Sequence, residues 1–278
     1  MFKIGCHLSF SKGYLAMAKE AHSIGANVFQ FFTRNPRGGA IKPVDEKDIS
    51  QFVEYCNNNG ISDFLAHAPY TINPCAADEN IRNFARSAMK EDIKRLDLLP
   101  NAYYNFHPGS HVKQGADVGI IKTAEILNEV IEENQKTIVL IETMSGKGSE
   151  IGRNFEEVAN LISRVNIKDK IGVCLDTCHV WEAGYDIVNN LDEVIAEFDK
   201  IIGLNRLKTI HLNDSKNTIG AHKDRHECIG IGSLGIDTIK SIINHEKLRN
   251  LPFYLETPQK DLNGYAEEIS LLKGLYEK

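Results

Sequence analysis

Histidines and carboxylates recur near the C-terminal ends of strand-like runs: His67 in "DFLAHAPY", His107 in "AYYNFHPG", Glu142 in "TIVLIETM", Asp176 in "IGVCLDTC", His211 in "LKTIHLND" and Glu256 in "PFYLETP". His7 and Gln30 stand at like positions in "FKIGCHLS" and "NVFQFFT". A single histidine of this kind is more often a hydrogen-bonded core residue. Four imidazoles and three carboxylates buried together are another matter, because each unpaired ion is costly and these runs carry little Lys or Arg to offset it. Divalent cations solve that problem directly. Mixed His and carboxylate donors without cysteine suit zinc first and manganese second, whereas calcium and magnesium prefer oxygen alone.

Two further segments read as loops above the strand ends: "LDTCH" offers Asp176 and His179, and "KDRHE" offers Asp224 and His226. In an extended stretch, residues i and i+2 point the same way, so Asp224 and His226 can grip one ion. His179 is a third donor for it. The full ligand set suits two or three ions better than one. Clustered divalent ions are the apparatus of phosphoester hydrolysis, since they acidify a bridging water and neutralise the attacking and leaving oxygens. A serine nucleophile has little support, because no G-x-S-x-G occurs and Ser110 in "HPGSH" lacks that setting.

The stretch "DRHECIGIGSLG" also spells G-x-G-x-x-G at Gly230, Gly232 and Gly235. A dinucleotide reading fails, because the preceding strand ends some ten residues earlier and leaves no tight strand-to-helix turn. The glycines read instead as a close backbone turn beneath the ligand cluster.

The elements that must position these residues are legible from periodicity. The eight runs, counting "FKIGCHLS" and "NVFQFFT", alternate with amphipathic stretches at 11–24, 45–59, 78–99, 117–134, 154–165, 190–203, 236–246 and 264–277. No linker or shift in composition marks a boundary, so residues 1–278 read as one α/β domain, a (β/α)8 TIM barrel with its site at the C-terminal ends of the strands. Strand alternation puts Asn105 with His107, Cys174 with Asp176, and Thr209 and Asn213 with His211 on the inner face. Tyr104, Phe106, Val173, Leu175, Ile210 and Leu212 then face the outer helices.

Composition sets the outer limits. A formal charge of −6 argues against a generic polyanion binder, whose affinity comes from many Lys and Arg. Yet Arg34, Arg37, Lys42, Lys113, Lys147, Arg153, Lys216, Lys223 and Arg225 all fall in loops at the ligand end, which favours an extended anionic substrate there. The six cysteines form no C-x-x-C pair and read as reduced packing residues. With no apolar run long enough to span a bilayer and no signal-like N-terminus, a cytoplasmic location without membrane attachment is expected.

The motifs "HAPY", "FHPGSHV", "IETMSGKGSEIG", "LDTCHVWEAGYD", "HLNDSKNTIGAHKDRHECIGIG" and "FYLETP" together strongly resemble the endonuclease IV family of apurinic/apyrimidinic endonucleases, almost end to end. The resemblance implies a monomeric three-zinc DNA repair enzyme. It would cut double-stranded DNA 5′ to an abasic site, leaving a 3′-hydroxyl and a 5′-deoxyribose phosphate, and would also trim 3′-blocked ends. On the family pattern His67, His107 and Glu142 hold one ion; Glu142, Asp176, His211 and Glu256 a second; His179, Asp224 and His226 a third. Glu142 bridges, and Glu256 orients or deprotonates the attacking water. Arg37 and Tyr70 match the residues that push into the DNA at the lesion. Gly38, Gly39 and Thr71 depart from the family's bulkier residues there, which implies weaker or differently balanced DNA distortion. A metal-dependent sugar isomerase or epimerase on a related barrel is the alternative, but it has no use for His179, Asp224 and His226.

Overall fold

The structure is a computed structural model that describes residues 1–35, 41 and 43–277. Its strands are β1 (Ile4–Leu8), β2 (Phe29–Phe32), β3 (Phe64–His67), β4 (Ala102–Phe106), β5 (Ile138–Glu142), β6 (Ile171–Asp176), β7 (Leu207–His211), β8 (Asp214–Ser215), β9 (His226–Glu227) and β10 (Phe253–Leu255). All but β8 and β9 close into a parallel barrel in which β10 lies between β7 and β1. Ile4 pairs with Phe253 on one side of β1, and His7 with Gln30 on the other. The eight strand-like runs are thus the eight barrel staves. The chain forms a (β/α)8 barrel, as its alternating pattern predicts.

Period-two alternation divides the barrel lumen into layers. Val28, Leu65, Leu140, Cys174 and Tyr254 form a buried apolar cluster of their own inside the barrel. Two residues further along the chain, on or at the end of the same staves, stand Gln30, His67, Glu142, Asp176 and Glu256. An apolar plug therefore underlies a polar floor, stave by stave. Tyr104, Phe106, Val173, Leu175, Ile210 and Leu212 belong to the larger core between strands and helices. Burying side chains of this size contributes roughly 1.5–3 kcal/mol each and holds the staves in register.

The helices are α1 (Tyr14–Ser23), α2 (Glu46–Asn59), α3 (Glu79–Leu96), α4 (Ala116–Val130), α5 (Phe155–Ser163), α6 (Thr177–Ala183), α7 (Leu191–Ile201), α8 (Gly235–Asn244) and α9 (Leu262–Leu275). Eight match the predicted stretches. The predicted 11–24 helix is divided: Gly13, at φ 95°, separates a short 3-10 turn from α1. Asp48 of α2 accepts the N–H groups of Tyr14 and Leu15 at 2.7 and 3.1 Å, capping α1 from outside where it lacks its own cap.

Helix α6 is an addition to the predicted set. Asp176 caps its first turn by accepting His179 N–H at 2.8 Å, and Gly184 ends it in the left-handed region. Asp at the N-cap and Gly eight residues later were the only local signal, compressed into a segment too short to show helical periodicity. All six cysteines are free, five of them buried. Among the described residues no helix is long and apolar enough to cross a membrane.

Candidate metal centre

Every predicted ligand lies at the C-terminal mouth of the barrel or on the connections above it. His67, Glu142, Asp176 and His211 are the last residues of β3, β5, β6 and β7; His107 and Glu256 follow β4 and β10 by one residue. Three sets place donor atoms within 4.8 Å of one another and match the predicted grouping in whole or part: His67, His107, Glu142; Glu142, Asp176, His211, Glu256; and Asp176, His179, His226. A fourth overlapping set joins His67, His211 and Glu256.

Glu142 is the hub. One carboxylate oxygen lies 3.0 Å from His67 Nε2 and 3.3 Å from His107 Nε2; the other lies 3.2 Å from His211 Nδ1 and 3.3 Å from His179 Nδ1. Asn105 donates to Glu142 at 2.6 Å, and Asn213 donates to Asp176 at 2.7 Å while accepting Glu256 N–H at 2.8 Å. Gln30 donates to Glu256 at 2.5 Å and lies 3.0 Å from His7 Nδ1. His7 thus lies behind the ligands; burial pushes its pKa down to about 4, so it is a neutral support at physiological pH.

The imidazoles are oriented from behind. His67 Nδ1 meets Ala68 O at 2.6 Å, His179 Nδ1 meets Thr143 O at 2.9 Å, and His226 Nδ1 meets Glu256 O at 3.3 Å. In each ring the opposite nitrogen is left for the centre, the arrangement that metal-binding histidines use. His226 Nε2 is buried without a hydrogen-bond partner, 3.6 Å from Asp176 and 3.7 Å from Asp224. That spacing is too long for a hydrogen bond and right for donors that share a cation. The donor set therefore fits a cluster of divalent ions with zinc-like preferences.

Electrostatics agree. Burial opposes charge on His179 and His211, but Asp176, Asp224 and Glu142 around the first, and Cys174, Glu256 and Glu142 around the second, raise both pKa values well above the usual range. Burial would likewise raise Glu142, yet His107 and His211 hold it well below the usual carboxylate range. Asp224 is also held low, burial being outweighed by His179 and His226. Glu142 and Asp224 on one side and His179 and His211 on the other thus favour one another's charged forms.

Two expectations need correction. Asp224 and His226 do not lie on one extended stretch, because Asp224 adopts φ 54°; its carboxylate still reaches His179 Nε2 at 3.1 Å. Asp176, which also caps α6, stands with His179 and His226 in one of the donor groups. Arg34 is not a cation for substrate. Its side chain is only 7% exposed and is spent on Asp92 at 2.6 Å, a carboxylate that also accepts the Thr33 hydroxyl at 2.7 Å. Lys147 and Lys223 are exposed at the mouth, whereas Arg153 is paired to Glu157 at 3.1 Å. Tyr70 is 61% exposed on the turn after β3. Arg37, Gly38, Gly39 and Lys42 lie outside the described residues.

The G-x-G-x-x-G segment cradles an anion after all, but an internal one. The Asp214 carboxylate accepts N–H groups from Gly230, Gly232, Leu234 and Gly235 at 3.1, 3.0, 2.9 and 3.3 Å, and from Ser215 at 2.8 Å. A Cβ at Gly232 would overlap that carboxylate and the Ser215 carbonyl oxygen. Glycine is required there by close approach, and the nest that would hold a phosphate is filled by the protein's own aspartate.

Sequence reasoning missed Asp214 and a second buried carboxylate, Glu182 of α6. Glu182 accepts the N–H groups of Lys223 and Asp224, both at 2.7 Å, and the Ser215 hydroxyl at 2.7 Å. Nothing in the sequence signals it, since its backbone partners are 41 and 42 residues away.

A closed parallel barrel whose mouth gathers overlapping His and carboxylate ligand sets defines the class of (β/α)8 proteins with a candidate multinuclear metal centre. A family profile described as "Xylose isomerase-like TIM barrel" matches residues 18–275. The chain is 59% identical over 277 residues to "Probable endonuclease 4" of Clostridium beijerinckii, covering 100% of both chains. It is 58% identical over 278 residues to the "Probable endonuclease 4" of Clostridium botulinum, again covering 100% of both. The crystal structure of endonuclease IV from Thermus thermophilus superposes with a TM-score of 0.86 at 27% identity, covering 98% of each chain. The chain belongs to the endonuclease IV family.

Proposed function

We propose that this chain is a zinc-dependent DNA repair endonuclease that hydrolyses the phosphodiester 5′ to abasic sites in double-stranded DNA, leaving a 3′-hydroxyl and a 5′-deoxyribose phosphate, and that also trims blocked 3′ ends. The observation that carries this reading is the convergence of overlapping ligand sets on Glu142 and Asp176, in a chain similar over its full length to proteins named endonuclease 4. Residues 1–278 act as one barrel domain and as a monomer in the cytoplasm.

His67, His107 and Glu142 would hold one zinc ion, Glu142, Asp176, His211 and Glu256 a second, and His179, Asp224 and His226 a third, with manganese able to replace zinc. Bound divalent ions supply Lewis acidity and neutralise charge on the attacking and leaving oxygens. Glu256, held by Gln30 and 3.2 Å from His211, keeps part of its side chain open to the mouth and serves to orient the attacking water and take its proton. Glu142, without exposed surface, fixes the surrounding imidazoles. Exposed Tyr70, together with Arg37, presses into the duplex at the missing base, where stacking is interrupted.

The test incubates purified protein with an abasic duplex and an undamaged control, with and without chelator. Chelator-sensitive incision of the abasic strand alone is expected. Incision of both duplexes alike, or of neither, sinks the proposal. A metal count of about three per chain separates this reading from an isomerase, which would use one or two ions and leave His179, Asp224 and His226 idle.

A further inference from the structure

Glu182 has no exposed surface, yet its carboxylate is satisfied by backbone N–H groups and neutral side chains. One oxygen takes the Lys223 and Asp224 N–H groups at 2.7 Å each; the other takes the Ser215 hydroxyl at 2.7 Å, the Asn217 amide at 3.1 Å and Arg225 N–H at 3.4 Å. The Glu182 carbonyl also accepts His222 N–H at 3.1 Å. His222 and Asp224 are both left-handed, at φ 52° and 54°, a conformation that non-glycine residues rarely adopt unless their surroundings hold them there. Successive N–H groups turned onto one anion form a backbone nest. Here the nest fixes the direction of the Asp224 side chain, which meets His179 Nε2 at 3.1 Å.

His179 and Glu182 ride on the same short helix, α6. One helix therefore delivers a ligand directly and holds the loop that delivers another. We infer that Glu182 is a positioning residue for a divalent cation at His179, Asp224 and His226, acting through the backbone of residues 222–225 without touching the ion. This inference rests on the metal reading of the centre. Hydrogen bonds from the loop backbone to the Glu182 carboxylate are the whole of the device.

The experiment titrates metal-free, full-length wild type, Glu182→Ala and Glu182→Gln with Zn2+ against a chelating indicator. It also follows amide hydrogen exchange of residues 222–226 before any metal is added. Wild type should take up three ions. The variants should keep two tight ions and bind the third about 10–100-fold more weakly, the usual cost of losing an outer-shell partner. The 222–226 amides should exchange faster in the variants than in wild type even without metal. If the alanine variant fails to fold, glutamine decides, since it keeps the chain length and one acceptor oxygen but puts an NH2 group where donors converge. Unchanged third-ion affinity with unchanged exchange overturns the inference alone. Equal weakening of all three ions also overturns it, by showing a merely structural role. A wild type that binds fewer than three ions sinks the metal reading and this inference with it.

Discussion

His179 Nε2 lies 3.1 Å from Asp224 Oδ1, although 45 residues separate the two in the chain. His179 arrives on α6, capped by Asp176; Asp224 arrives on a loop closed by the β8–β9 pair, in which Ser215 faces His226. The contact therefore joins the end of one barrel stave to an excursion after the next. It also links protonation to any cation binding in this centre, since a metal ion would compete with the proton for the same imidazole.

Cation uptake should release protons. The acidic groups around His179 and His211 raise both pKa values well above the usual range, which favours the protonated imidazoles in metal-free protein. Their contribution to metal-free stability is full below the unfolded pKa of about 6.5 and is lost as pH rises through the raised folded values. Glu142, held low, contributes above its unfolded pKa and loses that contribution as pH falls through its depressed folded value. Metal affinity runs the other way and rises with pH. Calorimetric titration with Zn2+ at pH 7, in buffers of different ionisation enthalpy, should show about one or more protons released per chain; zero would refute the assignment.

Arg34→Ala should unfold the protein more easily rather than simply weaken DNA binding. It leaves Asp92 buried without its counter-charge, a loss of about 3–5 kcal/mol in urea unfolding. Exposed Lys147 should behave oppositely. Lys147→Ala should leave stability within about 0.5 kcal/mol and lower the salt dependence of duplex binding by about one charge. An Arg34→Ala protein as stable as wild type contradicts the first half, and an unchanged salt slope the second.

Gly232→Ala and Gly235→Ala should differ although both fall in one motif. The new methyl at position 232 meets the Asp214 carboxylate and the Ser215 carbonyl, whereas at 235 it meets open space, at φ 75°. Denaturant unfolding should show a loss of about 2 kcal/mol or more for the first and about 1 kcal/mol for the second. Equal losses would mean that close approach to Asp214 does not govern this loop.

Tyr70→Ala should lower incision of an abasic duplex about tenfold or more, the range for losing one stacking aromatic, without a change in melting temperature. Its exposure removes any core role. Wild-type incision by the variant would take Tyr70 out of the DNA-contacting surface.

The staves were legible because each is a short β-branched or aromatic run with a polar residue near its end, and parallel strands buried on both faces read that way. Helix α6 was not, since its seven residues span barely two turns and Asp176 serves as strand end, helix cap and candidate ligand at once. Arg34 looked like a loop cation because the sequence cannot show Asp92 folding beneath it. The G-x-G-x-x-G did not read as a dinucleotide loop, and the anion that fills its nest is a side chain 16 to 21 residues upstream, beyond any local pattern.

By itself the sequence determined which residues face the barrel lumen. Side-chain direction in a strand has period two, so Asn105 and His107, Cys174 and Asp176, and Thr209, His211 and Asn213 each had to share one face. Barrel closure then brings the ends of separate staves to one mouth. Only the tertiary structure decided how the loops above that floor are held. Their shape depends on buried carboxylates, Glu182 and Asp214, that collect backbone N–H groups distant in the chain. A hydrogen bond to the main chain reads no side chain at the donor, and although close approach to Asp214 demands glycine at 232, that glycine does not name its distant partner.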